Sequence, residues 1–362
     1  MARVEDERRP FKEELSRERV AEVAVRLGLG SAFVAEACDD LEDLELKARV
    51  IQVSDALARH LPQDVPTALD LLVERYGWGE PVNLWAWPLM RYIEDHARGY
   101  PEQALDAIEA LTSTFSAEFA VRPYLRAWPE TTLARLHTWV THDSEHVRRL
   151  VSEGCRPRLP WGGHLTDFQR DPGPVLGLLE RLVDDDSEYV RRSVANNLND
   201  IAKDHPGVVV SWCQARTQPS RQRLIRHALR SLLKAGDPGA MALVGLGPPA
   251  LGEVRVWASS PVTIGQQVEI TVVLDSLTTQ ALMLDLAVEF VNAKGERSRR
   301  KVFKGVRRQV TQGELSWTKR LPMKQVSVRR LYAGVQAVEV LVNGLPVARA
   351  EFTLEDPAAD GR

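Results

Sequence analysis

The chain has 362 residues, 44% of them hydrophobic and 27% charged, which are globular values at a length that allows two domains with separate cores. No segment approaches ~18 consecutive apolar residues, so neither a membrane span nor a signal peptide is expected; the three cysteines, Cys38, Cys155 and Cys213, have no metal-ligand spacing, and their odd number argues against a disulfide framework. The net charge of −3 conceals a division: residues 1–186 carry 22 Lys/Arg against 34 Asp/Glu, residues 187–234 carry 9 against 3, and residues 294–330 carry 13 against 2.

Two basic tracts on an otherwise acidic chain point to a polyanion bound at a defined face. Solvated Arg and Lys without a partner is the alternative. A cytoplasmic protein, without metal or membrane, is the expectation.

Taken in order, residues 10–37 hold short helical patterns broken at Gly28 and Gly30. Residues 43–61 read as a helix ending before Pro62, and 65–76 as another closed by Gly77. Asn83-Leu84-Trp85-Ala86-Trp87-Pro88 is a loop or helix start with two indoles, suited to packing or to base stacking. Helices are predicted at 89–98 and 101–111. In Phe115-Ser116-Ala117-Glu118-Phe119 a carboxylate sits between two aromatic rings. Its structural explanation would be a helix N-terminal acid paired with Arg122 at i+4.

An internal repeat follows. Asp143-Ser144-Glu145-His146-Val147-Arg148-Arg149 and Asp186-Ser187-Glu188-Tyr189-Val190-Arg191-Arg192 match at six of seven positions, 43 residues apart. A looser copy runs from Ser220 to Arg226. Helix pairs of this period mark a HEAT-like solenoid with a concave binding face. Arginines placed alike in successive repeats suit a phosphate backbone, which makes Arg148, Arg149, Arg191 and Arg192 candidate contacts.

The second copy opens a helix that Ser187 can cap and Pro206 must stop. Val190, Val194, Leu198 and Ile201 form its apolar stripe. Beside it run Arg192, Asn196, Asn197, Asn199 and Asp200. Asn is a poor helix former, so this face reads either as functional or as bonded to neighbouring loops. After the first copy, Arg156-Pro157-Arg158-Leu159-Pro160-Trp161-Gly162-Gly163 is a fixed loop. Its Trp161, near Arg156 and Arg158, could stack on a base or face a cation, or else anchor the loop.

Past Gly252 the pattern turns strand-like, with about seven short strands and an Asn343-Gly344 hairpin signal. An immunoglobulin-like sandwich without its disulfide is predicted.

Residues 115–125, 144–161 with the Arg-Leu-Pro-Trp-Gly loop, and 189–206 together resemble the AlkC-type 3-methyladenine DNA glycosylases, within the HEAT-like DNA alkylation-repair superfamily that also contains AlkD. The resemblance covers nearly the whole chain and is most specific in the 115–206 core. It implies a mainly α fold: a HEAT-like helical-repeat solenoid at 1–250, an all-β immunoglobulin-like, DNA-gripping sandwich at 251–356, and a tail at 357–362. It also implies an active site of three acids and a Trp, which fall here on Glu118, Glu153, Asp200 and Trp161. Arg148, Arg149, Arg156, Arg158, Arg191, Arg192 and Asn196 become the expected DNA contacts. The implied partner is double-stranded alkylated DNA, bound by a monomer with no cofactor and kinked rather than flipped into a closed pocket. The sequence departs from AlkD-like proteins at Asn199, where they carry an Arg near the catalytic acid. A non-catalytic HEAT-repeat DNA-binding protein or scaffold remains the alternative reading.

Overall fold

Helical periodicity fills the first two thirds of the chain and strand alternation the last third. The computed structural model, which describes residues 10–79, 84–325 and 330–357, follows that division. By internal contacts the chain forms two compact units, Met1–Asp204 and His205–Arg362. Asn83, in the two-indole stretch, and residues 358–362 of the expected tail lie outside the described residues.

The first unit is helical. It contains α1 (Arg17–Leu27), α2 (Ser31–Ala37), α3 (Leu46–His60), α4 (Val65–Tyr76), α5 (Trp87–His96) and α6 (Pro101–Leu111). It continues with α7 (Arg122–Ala127), α8 (Pro129–Trp139), α9 (Glu145–Gly154), α10 (Thr166–Arg170), α11 (Gly173–Leu182) and α12 (Glu188–Ile201). Proline occupies the first turn of α4 to α8 and of α11. There its missing N–H costs nothing and its fixed φ starts the helix.

The two repeat copies become α9 and α12. These helices pack side by side, with α8 and α11 also against α9. Val147, Leu150 and Val151 of α9 and Val190, Val194, Leu198 and Ile201 of α12 are buried completely or nearly so. Each such side chain contributes about 1.5–3 kcal/mol relative to exposure. The stripe is therefore core, as its spacing predicts.

Two local expectations change. Helix α12 ends at Ile201, and Pro206 starts the next helix rather than stopping this one. Ser187 occupies the N-cap position, but its hydroxyl donates to the Glu145 carboxylate instead of accepting from the helix. The repeat explains why: the cap of the second copy is bonded to the first helical residue of the first.

The second unit begins with α13 (Pro206–Gln214), α14 (Gln222–Ala228), α15 (Arg230–Ala235) and α16 (Pro238–Leu243). Eight strands follow: β1 (Leu251–Ala258), β2 (Val262–Thr263), β3 (Gln267–Ser276), β4 (Gln280–Val291), β5 (Arg297–Val310), β6 (Gly313–Pro322), β7 (Gly334–Val342) and β8 (Leu345–Glu355). They form a three-stranded sheet, β1-β3-β6, and a five-stranded sheet, β2-β8-β7-β4-β5. The sheets bury Val268, Ile270, Val272 and Leu274 against Leu282, Leu284, Leu286, Val338, Val340 and Phe352. This is the expected immunoglobulin-like sandwich. Strand β2, two residues long and parallel to β8, is too short to show alternation in sequence.

Asn343 and Gly344, with φ of 48° and 81°, form the β7–β8 turn. Both angles are left-handed, as a two-residue hairpin of matching twist requires. A Cβ at Gly344 would lie 2.3 Å from the Gly236 Cα, so the turn also needs glycine to seat against α15. Asn343 Nδ2 donates to the Gly247 carbonyl at 2.8 Å. These contacts join the helices 206–243 to the sandwich, whereas the change from helix to strand falls at Leu251.

Candidate active site

Three segments of the first unit converge: the turn before α7, the C-terminal end of α9, and the C-terminal end of α12. A close approach makes this possible. A Cβ at Gly154 would sit 2.5 Å from Val121 Cγ1, so glycine at the end of α9 lets the 118–121 turn lie directly against it.

Glu118 is in that turn rather than on a helix. Its carboxylate accepts from Arg149 Nη1 at 2.5 Å and from Ser116 Oγ at 2.8 Å. Arg149, not Arg122, is thus its ion-pair partner. Arg149 also lies 3.7 Å from Glu153, with its guanidinium 5.1 Å from the centre of the Tyr189 ring.

Glu153 Oε1 accepts from Arg156 Nη1 at 2.5 Å, and its Oε2 from Ser193 Oγ at 2.6 Å. Arg156 Nε donates in turn to Asp200 Oδ2 at 2.8 Å. Lys203 Nζ donates to Asp200 Oδ1 at 2.9 Å. Glu118, Arg149, Glu153, Arg156, Asp200 and Lys203 therefore form one chain of alternating charge. Glu153 and Asp200 are 5% and 1% exposed and Glu118 is half-buried, so the three sequence-predicted acids are brought together and two of them are buried.

Burial and helix polarity both oppose such an arrangement. Glu153 and Asp200 end their helices, where the macrodipole disfavours anions. The arginines compensate. Burial alone lowers the Arg149 pKa, but Glu118 and Glu153 outweigh it and the net effect is upward. At Arg156 burial is likewise the largest effect, and Glu153 with Asp200 reverses it. Both stay charged, which keeps the buried carboxylates paired. Cys155 is no nucleophile: burial pushes its thiol up to about 12.

Trp161 is reached through a residue that sequence reading assigned only to Glu118. Arg122 is 2% exposed. Its Nη1 donates to the carbonyls of Gly154 and Arg156, both at 2.8 Å, and its Nη2 to Gly163 at 2.5 Å. One buried cation thus ties the end of α9 to the 156–163 loop. Burial, with Arg126 nearby, pushes its pKa down to about 10. The sequence signal was an Arg in the apolar run Ala120-Val121-Arg122-Pro123.

The loop presents Trp161 with φ of 64° and 69% exposure. It borders a cleft of about 250 Å³ lined also by Trp87, Phe119, Arg122 and Arg126. Trp87 stacks on Phe119 at 5.5 Å between ring centroids, so the second indole of the 83–88 stretch packs.

The expected DNA contacts divide. Arg148 is bound to Asp185 at 2.6 and 3.0 Å and to the His142 and Asp143 carbonyls. Arg191 donates to the corresponding carbonyls of Asp185 and Asp186. Arg156 is in the acidic network, and Arg158 holds Asp204 at 2.9 and 2.6 Å. Arg192 is exposed and lies 3.3 Å from Glu188. Asn196 is half-buried beside it. Among the described residues no group of His, Cys, Asp or Glu could hold a metal ion, and no helix is long and apolar enough to cross a membrane.

The second unit has its own cleft, about 740 Å³, between α14–α15 and β5. Arg223, Arg226, Arg230 and Lys234 line one side, and Lys304 and Arg307 the other.

Residues 254–356 match a family described as the C-terminal Ig-like domain of the uncharacterised protein YhaZ. YhaZ of Bacillus subtilis is 37% identical over 311 residues, 84% of this chain and 86% of the relative. The structure of the Pseudomonas fluorescens alkylpurine DNA glycosylase AlkC, bound to DNA containing an abasic site analog, is similar with a TM-score of 0.86 at 33% identity. That match covers 96% of this chain and all of the other.

Proposed function

This chain belongs to the AlkC family of DNA glycosylases, and from that premise we propose that it removes cationic N-methylated bases from duplex DNA by hydrolysing their N-glycosidic bond. The substrates are 3-methyladenine and, by the same chemistry, 3-methylcytosine and 1-methyladenine. The products are the free methylated base and an abasic site. The observation that carries the reading is the convergence of Glu118, Glu153 and Asp200 in one network of ion pairs beside the loop of exposed Trp161.

The chemistry suits these groups. A base carrying positive charge leaves without protonation, so no general acid is needed. The bonding pair of the C1′–N bond departs with the base, which becomes neutral, and positive charge moves to the sugar. Asp200 stabilises that oxocarbenium ion and orients the water that adds to C1′. The proton released from the water passes through the carboxylate to solvent. Glu153 and Glu118 extend the row of carboxylates, each paired with an arginine, and Trp161 offers a π face to the cation. Nothing in this scheme requires the base to enter a closed pocket, metal or cofactor.

The test is release of 3-methyladenine and 3-methylcytosine from methylated duplex by wild type and Asp200→Asn. The variant should bind DNA and fold while losing ~10²–10³ in rate. Equal release by both would move the chemistry off Asp200. DNA binding without release by wild type would favour the non-catalytic reading, which the pairing of Arg156 with two of the carboxylates also suits.

A further inference from the structure

A site for a positively charged base should be anionic, yet this one is balanced. The three carboxylates are matched by Arg149, Arg156 and Lys203 in direct contact. Buried Arg122 lies just behind them, bonded to the Arg156 carbonyl. Arg158 adds nothing, because it is matched by Asp204. A cationic base brought to this network would meet no net attraction unless one cation gave way.

The cations are not equally held. The Arg156 side chain is 8% exposed and bonded to two acids. The Arg149 side chain is 15% exposed, with Glu118, Ser116 and the Tyr189 ring as partners. Withdrawing either would strand a buried carboxylate. Lys203 differs on each count. Its side chain is 43% exposed, it bonds Asp200 through one ammonium, and it stands in the turn after α12 on a flexible four-carbon stem. Water can take up that ammonium as it leaves, and the buried Asp200 carboxylate, 2% exposed, keeps the Arg156 Nε–H bond when it does.

We propose that Lys203 is an exchangeable counter-cation: it neutralises Asp200 while the site is empty and swings into solvent when a positively charged base or sugar takes its place. The inference rests on the glycosylase reading and assigns Lys203 to specificity. Withdrawal exposes the Asp200 charge only when a cation is there to use it. A neutral base must displace the lysine without replacing its charge, so the exchange discriminates against undamaged DNA.

The experiment compares wild type, Lys203→Gln and Lys203→Arg on duplexes carrying one of two abasic-sugar analogues, a protonated pyrrolidine or a neutral tetrahydrofuran. The readout is the ratio of their dissociation constants at fixed salt, beside the rate of 3-methyladenine release. Lys203→Gln should increase the preference for the cationic analogue about tenfold, because Asp200 no longer has a competitor, while Lys203→Arg stays within twofold of wild type. General destabilisation would weaken both analogues alike and leave the ratio unmoved. An unchanged or reduced ratio in Lys203→Gln overturns the proposal even if wild type releases methylated base. A raised ratio in a protein that releases no base supports the exchange and sets the glycosylase reading aside.

Discussion

At the scale of single residues, the site is held by side chains whose importance is a matter of environment rather than type. Trp161 is the clearest case. A left-handed backbone at a non-glycine residue costs ~1 kcal/mol, and the indole recovers little of it by burial, being 69% exposed. A strained, exposed aromatic is what the proposed contact with the lesion would call for. Trp161→Gly should therefore stabilise the protein by about 0.5–1 kcal/mol in urea unfolding while lowering release of methylated base. A loss of stability instead would mean that the ring anchors the loop. The indole and its loop were legible in the sequence, from Pro160, Gly162 and Gly163. Arg122 was not, because its partners are three backbone carbonyls up to 41 residues away, and carbonyls leave no trace in a sequence. Arg122→Met would leave those acceptors unpaired. At ~1–3 kcal/mol for each buried unsatisfied group, it should cost about 3 kcal/mol or more in the same measurement.

At the scale of the element, the repeat carries two arginines with different duties. The first of each pair folds back: Arg148 onto the carbonyls of 142 and 143, and Arg191 onto those of 185 and 186. It stitches the turn between helices, which is reason enough for the motif to recur. The second points elsewhere, Arg149 into the acidic network and Arg192 outward. Sequence spacing established that the copies were equivalent but not which arginine folds back, since one residue around a helix separates the turn from the outward face. Arg148→Ala should cost about 2–3 kcal/mol by stranding the Asp185 carboxylate and leave the salt dependence of DNA binding unchanged. Arg192→Ala should cost under ~0.5 kcal/mol and flatten that dependence by about one unit. The Asp185 pair also has a pH signature. Burial pushes its carboxyl up, but the Arg148 bonds and the Ser187 N–H more than offset this and hold it below its ordinary 3.8. A depressed acid stabilises the fold fully above its unfolded pKa and loses that contribution as pH falls through the folded value. Wild type should thus lose stability below about pH 4 more steeply than Arg148→Ala.

At the scale of the whole molecule, charge is sorted by unit. Residues 1–204 carry 25 Lys/Arg against 37 Asp/Glu and residues 205–362 carry 22 against 13, so the unit with the carboxylates contributes little general attraction for DNA. The helix-to-strand change at Leu251 and the sandwich were legible, because period-two alternation is a local signal. The joining of the two tracts was not. Arg226 and Lys304 stand 78 positions apart in sequence, and they line one cleft only because β5 pairs with β4 in the observed register and lies beside α14 and α15. Several cations around a cleft repel one another: burial, with Arg226 nearby, lowers the Arg307 pKa. Such a cluster is stabilised when a polyanion fills it, and each phosphate neutralised releases counterions and adds about 0.9 to the salt slope. Arg226→Ala with Lys304→Ala should therefore weaken binding to any duplex, methylated or not, and reduce the slope by about two. The rate of base release at saturating DNA should stay near wild type, because Asp200 and its partners are untouched. A double variant with an unchanged slope would leave the cleft without a part in DNA binding. One that lost rate as well as affinity would show that this grip positions the lesion and does not merely retain the DNA.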